Sequence, residues 1–113
     1  MKNKTEPAWK NKRTTETRKI EDTIRAGDFE KVDAYRYNSA SIRVRVIDGR
    51  FEGVPAEKRE RMLEPYLKQL PERTQADIMS LFTFAPSELK ETQKASREAL
   101  LNAEFDDPSP SML

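Results

Sequence analysis

The sequence predicts an α+β domain with the element order αββαβα, a two-layer sandwich in which a three-stranded mixed sheet carries helices on one face. Three observations support this prediction. Between Ile42 and Ile47, apolar residues alternate with arginines, which is typical of a half-buried strand. A turn bounded by Gly49 and Gly53 leads into a basic segment whose apolar residues have helical spacing. The run 77–84 then returns to strand composition, so the intervening helix is a crossover long enough for parallel pairing.

The first helix begins at a threonine. Thr14 or Thr15 can cap it, because a threonine hydroxyl accepts a hydrogen bond from a backbone N–H of the first turn. Ile20 and Ile24 mark its apolar face, and Gly27 occupies the position where a glycine commonly follows a helix. We therefore expect one face of this helix to pack against the sheet.

A hairpin follows this helix. Residues 31–37 and 41–48 have the β-branched, aromatic and alternating composition of strands, with a short polar turn between them. The pattern leaves open which side of the first strand faces the core. The two choices are Val32 with Ala34, or Tyr35 with Tyr37.

The second helix is bordered and interrupted by prolines. Pro55 suits its first turn, Pro71 ends it, and Pro65 predicts a kink or a restart, because proline removes a backbone hydrogen bond. The strand that follows, residues 77–84, is dense in apolar residues and is predicted to be central in the sheet. The predicted core comprises Ile42, Val44, Val46, Leu63, Leu67, Ile78 and Phe82, together with Phe51 from the turn.

The chain ends are predicted to flank a single domain, residues 14–104. Residues 1–13 are expected to form a disordered basic arm, in which Trp9 docks loosely, is exposed, or stacks on a base. Residues 105–113 are expected to form a disordered acidic tail. A last helix is predicted to begin at Ser87. Its thin apolar stripe would contain Leu89, Ala99, Leu100 and Ala103.

Composition excludes several classes of function. The chain has 113 residues, a formal net charge of +1, and neither cysteine nor histidine. Disulfides, thiolate nucleophiles, imidazole bases and the usual zinc or iron–sulfur ligands are therefore absent, and we expect no metal and no cofactor. Because no run of about 18 apolar residues occurs, we expect no membrane span and a cytoplasmic protein. No motif of a catalytic site occurs, so an enzyme is not expected.

Four segments between residues 18 and 89 occur in an order that is similar to that of a known protein family. They are the alternating strand Ile42–Ile47, the turn Arg50–Gly53, the basic helix start Lys58–Arg61, and Ala85–Glu88 after the third strand. This order resembles the BolA-like family, whose small domains have a class II KH-like fold, and the resemblance implies that fold here. The family shares an iron–sulfur cluster with monothiol glutaredoxins through histidine and cysteine ligands. Those ligands have no counterpart in this chain, so we expect no iron–sulfur cluster.

The candidate binding residues are basic and aromatic. Arg43 and Arg45 share one strand face, and the helix start that follows a short turn can reach the same edge of the sheet. Arginines beside tyrosines on an open sheet face would suit single-stranded nucleic acid, which stacks on rings and is held by cations. The candidate nucleic-acid-binding residues are Tyr35, Tyr37, Arg43, Arg45, Arg50, Lys58, Arg59 and Arg61.

Two functions follow from these residues. The first is a non-catalytic, KH-like binding module that binds RNA or DNA and acts in regulation. The alternative is a protein–protein interaction adaptor of unknown partner. Residues 43–61 hold six basic and four acidic side chains, so an ordinary salt-bridged surface is an equally direct interpretation of the same charges.

Overall fold

The computed structural model of the chain describes residues 7–111. The helices and strands of this range are α1 (Thr15–Arg25), β1 (Lys31–Asn38), β2 (Ser41–Ile47), α2 (Ala56–Leu67), α3 (Glu72–Asp77), β3 (Ile78–Phe84) and α4 (Arg97–Asp106). Short 3₁₀ helices cover Ala8–Lys12, Gly49–Phe51, Pro86–Leu89 and Glu91–Gln93.

The three strands form one mixed sheet with the order β1-β2-β3. The central strand β2 is antiparallel to β1, where Val44 pairs with Ala34, and parallel to β3, where Val44 pairs with Leu81. The predicted α+β class and three-stranded mixed sheet are confirmed. The prediction that residues 77–84 are central is wrong, because β3 lies at the edge of the sheet. Of its apolar side chains, Ile78, Leu81 and Phe82 are half-buried, Phe84 is buried and Met79 is exposed.

One face of the sheet packs against α1 and α2. The fully buried side chains here include Ile20, Ile24, Val32, Ala34, Ile42, Val44, Val46, Phe51 and Leu63. Of the two choices for β1, the side that carries Val32 and Ala34 therefore forms this core. Leu67 and Ile78, which were predicted to be core residues, pack against its margin and are partly buried.

The helix ends show why individual residues stand where they do. Thr14 caps α1 in a reciprocal capping box, in which its hydroxyl accepts from the Thr17 N–H at 3.1 Å and its own N–H donates to the Thr17 hydroxyl at 2.8 Å. At Gly27, a Cβ would lie 2.5 Å from the Tyr66 ring, so the glycine is required by close packing. The left-handed backbone conformation falls one residue later, at Asp28 (φ 64°).

The second helix does not restart at Pro65. It continues from Ala56 to Leu67, with Pro65 two residues before its end. Pro65 is exposed, so the hydrogen bond that it cannot make is missing at the water-facing side of the last turn. After Pro71, the six-residue helix α3 leads into β3.

The second face of the sheet is also covered. The 3₁₀ helix Ala8–Lys12 and α4 pack there around the buried side chains of Trp9, Tyr35 and Phe105, with Tyr37 and Phe82 beside them. The ring centroids of Tyr35 and Phe105 are 4.8 Å apart, and those of Trp9 and Phe105 are 5.5 Å apart. Phe82, which was predicted for the first core, thus belongs to this second one.

The chain ends therefore differ from the prediction of a disordered arm and tail. Trp9 Nε1 donates to Asp106 Oδ1 at 3.1 Å, and Tyr37 Oη donates to the Ser109 carbonyl at 2.8 Å. These contacts include residues 7–13 and 105–111 in the folded domain, whereas the expected disorder of residues 1–6 and 112–113 lies outside the described residues.

The last helix also differs from its prediction. It is capped by Ser96 and begins at Arg97, rather than at Ser87. Phe105 anchors it, whereas Leu100, which was placed on the predicted apolar stripe, is 62% exposed.

Candidate interaction surface

Arg45 is buried beneath α4. Its side chain is 3% exposed, and Nη2 donates to Asp33 Oδ2 at 2.6 Å. Nη1 donates to Asp106 Oδ1 at 2.6 Å and to Asn102 Oδ1 at 2.8 Å, while the guanidinium lies 4.3 Å from the Phe105 ring centroid. The chain's own carboxylates therefore occupy the positions where phosphates were expected, and Arg45 offers no open binding surface.

Arg43 has a similar arrangement at the rim of the same face. Nη1 donates to Glu104 Oε2 at 3.0 Å and to Tyr35 Oη at 3.3 Å, and the guanidinium stacks 3.8 Å from the Tyr37 ring centroid. Burial alone would lower the pKa of Arg43, but the hydrogen bonds to Tyr35 and Glu104 raise it above its usual value. Burial raises the pKa of Tyr35. The structure brings the four predicted sheet residues together, but α4 covers them.

Arg59 connects the start of α2 to the end of β3. It is buried, it pairs with the Glu88 carboxylate through bonds of 2.8 and 3.0 Å, and it donates to the Val54 and Thr83 carbonyls at 2.7 and 2.9 Å. The hydrogen bonds from Arg59 hold the pKa of Glu88 below its usual value. Arg59 therefore has a structural position rather than the exposed one that was predicted.

The remaining basic candidates lie at the surface. Arg50 is exposed, pairs with Asp48 at 3.1 Å, and lies 4.0 Å from the Phe29 ring centroid. Lys58 and Arg61 are exposed on α2. Of the eight predicted site residues, these three keep an exposed charge, so the basic surface is smaller than the sequence indicated.

A different surface lies at the outer edge of β3. Within residues 7–111, no strand pairs with this side of β3. The Asp48 N–H donates to the Phe84 carbonyl, so the Phe84 backbone faces β2. Because successive strand residues direct their backbone groups to alternate edges, those of Leu81 and Thr83 point outward. This outer edge of β3, residues 79–83, is the candidate interaction surface.

Two cavities border the outer edge of β3. One, of about 530 Å³, extends along residues 80–84 of the strand, and its other lining residues include Pro55, Ala56, Arg59 and Leu101. The second, of about 410 Å³, lies at the other end beside Ile78, Met79, Leu81, Leu67 and Lys68. Met79 is 68% exposed. The surface is thus a short strand edge with one depression along residues 80–84 and a second beside Met79.

Sequence reasoning missed this surface, although a signal was present. Residues 78–84 contain no charge and no proline. Edge strands are commonly protected by lysine, proline or other charges, and an unprotected edge pairs readily with another chain. Residues 77–84 were predicted to form a central strand, which needs no protection against pairing with another chain. The absence of charge and proline was therefore not recognised as a sign of an open edge.

Two kinds of site are absent from residues 7–111. No cluster of three or more His, Cys, Asp or Glu side chains in residues 7–111 could hold a metal ion. Over the same described range, no helix has the length and apolar character required to cross a membrane.

Comparisons of the chain with protein-family models, with curated proteins and with solved structures found no significant match. The relationship to BolA-like proteins accordingly stays a prediction from the sequence segments described above.

Proposed function

We propose that this chain is a non-catalytic protein-interaction module, of BolA-like type, that binds its partner along the outer edge of β3. One observation carries the proposal: an uncharged edge strand, with Met79 exposed, is bordered along its length by two cavities. A partner strand added there would supply backbone hydrogen bonds, and the cavities would receive its alternate side chains.

The charges favour a protein partner over nucleic acid. Arg43, Arg45 and Arg59 each donate to a carboxylate of the same chain. A phosphate backbone would have to displace these bonds before it gained any attraction of its own. Nucleic-acid affinity comes mainly from cations that are available to neutralise phosphates. Arg43, Arg45 and Arg59 are already paired with carboxylates, so they are not available in this way.

The lowered pKa values of two carboxylates do not suit general-acid catalysis by them. Hydrogen bonds from Arg36 and Thr74 lower the pKa of Glu16, although burial opposes them. Burial would raise the pKa of Asp48, but hydrogen bonds from Arg50 and Glu30 lower it. A general acid at neutral pH needs the opposite shift, toward a raised pKa. Glu16 and Asp48 instead accept hydrogen bonds from arginines and from other donors of the same chain.

The proposal is tested with peptides selected from a phage-displayed library of linear sequences. The selected peptides are titrated into ¹⁵N-labelled protein, and we expect amide shift changes centred on residues 79–83. Met79→Lys should weaken binding about tenfold, since it places a charge on the edge. Leu100→Lys is the matched control, because Leu100 is similarly exposed but lies on α4, and it should bind as the wild type does.

Two results would overturn the proposal. One is a set of peptides whose shift changes fall away from β3 and whose affinity ignores Met79→Lys. The other comes from single-stranded RNA and DNA oligonucleotides at low salt. Shift changes around Lys58 and Arg61 with a steep salt dependence would instead support the nucleic-acid function.

A further inference from the structure

We infer that the partner at the outer edge of β3 is a second copy of this chain, paired antiparallel with the first in a two-fold symmetric dimer. The inference rests on the proposed function, in that it takes the outer edge of β3 as the interaction surface. The antiparallel pairing of the two β3 strands would join the two three-stranded sheets into one continuous six-stranded sheet.

The backbone of β3 suits two-fold pairing about Leu81. The Leu81 N–H and carbonyl point outward, so Leu81 and the partner subunit's Leu81 would exchange two hydrogen bonds. Met79, at the irregularity of the β2–β3 register between Ile78 and Ser80, would then lie near the partner's Thr83. Because Arg59 Nη1 donates to the Thr83 carbonyl, the added ladder is short and centred on Leu81.

The side chains of β3 are complementary to themselves. The strand consists of Ile78, Met79, Ser80, Leu81, Phe82, Thr83 and Phe84. A second copy brings the same uncharged strand, so no like charges are opposed and no charge on the strand loses its hydration. Pairing also covers the exposed Met79 side chain. A two-fold interface needs this self-complementarity, since each residue meets the same surface on the other subunit.

The charges along α2 agree with an antiparallel second copy. Ala56, at the start of α2, lines the cavity at Thr83, whereas Lys68, just after its end, lines the cavity at Met79. The helix therefore runs antiparallel to β3. A two-fold rotation reverses this direction, so Lys68 of one subunit lies toward Glu57 of the partner subunit.

The middle of α2 repeats this alternation of sign. Glu60, Arg61 and Glu64 line the groove beside Leu81. In the reversed copy, Arg61 can reach either acidic neighbour on the partner's helix. A partner whose strand is uniformly acidic or basic would not be complementary to these alternating charges. The reversed α2 of a second copy is complementary to them.

The first experiment uses the absence of cysteine from the sequence. In the dimer, residues 81 form a hydrogen-bonded antiparallel pair with Cα atoms about 5.5 Å apart, a separation that a disulfide spans. Leu81→Cys should therefore form a disulfide-linked dimer under mild oxidation. Leu100→Cys is the control. Leu100 is 62% exposed and Leu81 is partly buried, so collisions without a specific dimer would cross-link the control faster.

The second experiment measures association by sedimentation velocity at about 100 μM, which populates a dimer with micromolar Kd. Wild type and Leu100→Lys should be dimers, whereas Met79→Lys should raise the Kd at least about tenfold. Lys68→Glu should also weaken the dimer, and adding Glu57→Lys to it should restore association. Circular dichroism establishes that each variant is folded.

The outcomes separate this inference from the proposed function. A folded wild type that is monomeric, and a Leu81→Cys variant that cross-links no faster than Leu100→Cys, would overturn the inference. If such a monomer still bound selected peptides at residues 79–83, the proposed function would stand without it. If neither a second copy nor a peptide engages this edge, both are wrong.

Discussion

At the scale of single residues, Arg59 shows that an arginine predicted to be exposed can be buried and can stabilise the fold. We predict that Arg59→Met lowers the free energy of unfolding by about 3–5 kcal/mol, because it leaves Glu88 and two carbonyls without their donor. Arg61→Met, two residues away and exposed, should change it by less than about 0.5 kcal/mol. Urea unfolding of both variants is the measurement, and equal small effects would contradict the structural assignment of Arg59.

Glu88 predicts a dependence of stability on pH. Its pKa is lowered by hydrogen bonds from Arg59 in the folded state, so the folded protein favours the ionised form. The resulting stabilisation is complete above the ordinary carboxyl pKa of 4.5 and is lost as the pH falls through the lower folded value. Glu88→Gln should therefore be less stable than wild type at pH 7 and lose less stability on acidification.

The measurement is the free energy of unfolding from urea titrations at a series of pH values between about 7 and 3. Glu57→Gln, at an exposed position on α2, is the control for removing a carboxylate. Parallel pH curves for wild type and Glu88→Gln would show that the Arg59–Glu88 pair does not supply the acid sensitivity.

The limits of the sequence are visible at Gly27. Its position after α1 indicates a helix-ending glycine, and α1 does end there. The reason is different, because the Tyr66 ring occupies the space that a Cβ would need. The local sequence predicts where α1 ends. It does not predict the contact between Gly27 and Tyr66 of α2, because that contact depends on tertiary packing.

At the scale of elements, the strands were the most predictable part of the fold. Alternation of apolar and charged residues places Ile42 and Val44 on one face and Arg43 and Arg45 on the other, as observed. The same alternation cannot show what lies over each face. The four candidate residues of the sheet were therefore correctly grouped, but α4 covers them.

The last helix was the least predictable element. Its apolar anchor is a single aromatic residue, Phe105, at its carboxyl end, so it lacks the repeated stripe that identifies helices from sequence. Much of its attachment is polar, through Glu104 with Arg43 and Asp106 with Arg45. Such pairs join residues about 60 positions apart, a separation that local reasoning does not examine.

This attachment gives a prediction for α4. Phe105→Ala should lower the free energy of unfolding by about 3–5 kcal/mol, because it empties a fully buried site between Trp9 and Tyr35. Leu100→Ala, on the same helix but exposed, should change it by less than about 0.5 kcal/mol. Guanidinium unfolding followed by far-UV circular dichroism distinguishes the two. A cost under about 1 kcal/mol for Phe105→Ala would mean that α4 is attached only loosely.

At the scale of the whole molecule, the sheet has an apolar core on each face. The first, between the sheet and helices α1 and α2, contains aliphatic side chains such as Ile20 and Val44. The second is formed by Trp9, Tyr35 and Phe105, so it takes side chains from both ends of the chain. In a domain of this size, one core buries only a limited area of apolar surface. Burial in the second core therefore contributes much of the stability.

The two cores should therefore unfold together. Trp9 is the single tryptophan of the chain, and it contacts Tyr35 on β1 and Phe105 on α4. Its fluorescence thus reports the second core, whereas far-UV circular dichroism reports all helices and strands. We predict that urea transitions followed by the two signals coincide, as expected for one cooperative unit. Removing residues 97–113 should shift the native Trp9 emission to the red, because the ring loses its cover. If Trp9 emission instead changes at clearly lower urea than the circular dichroism, the chain ends form a separate, weaker unit on the sheet.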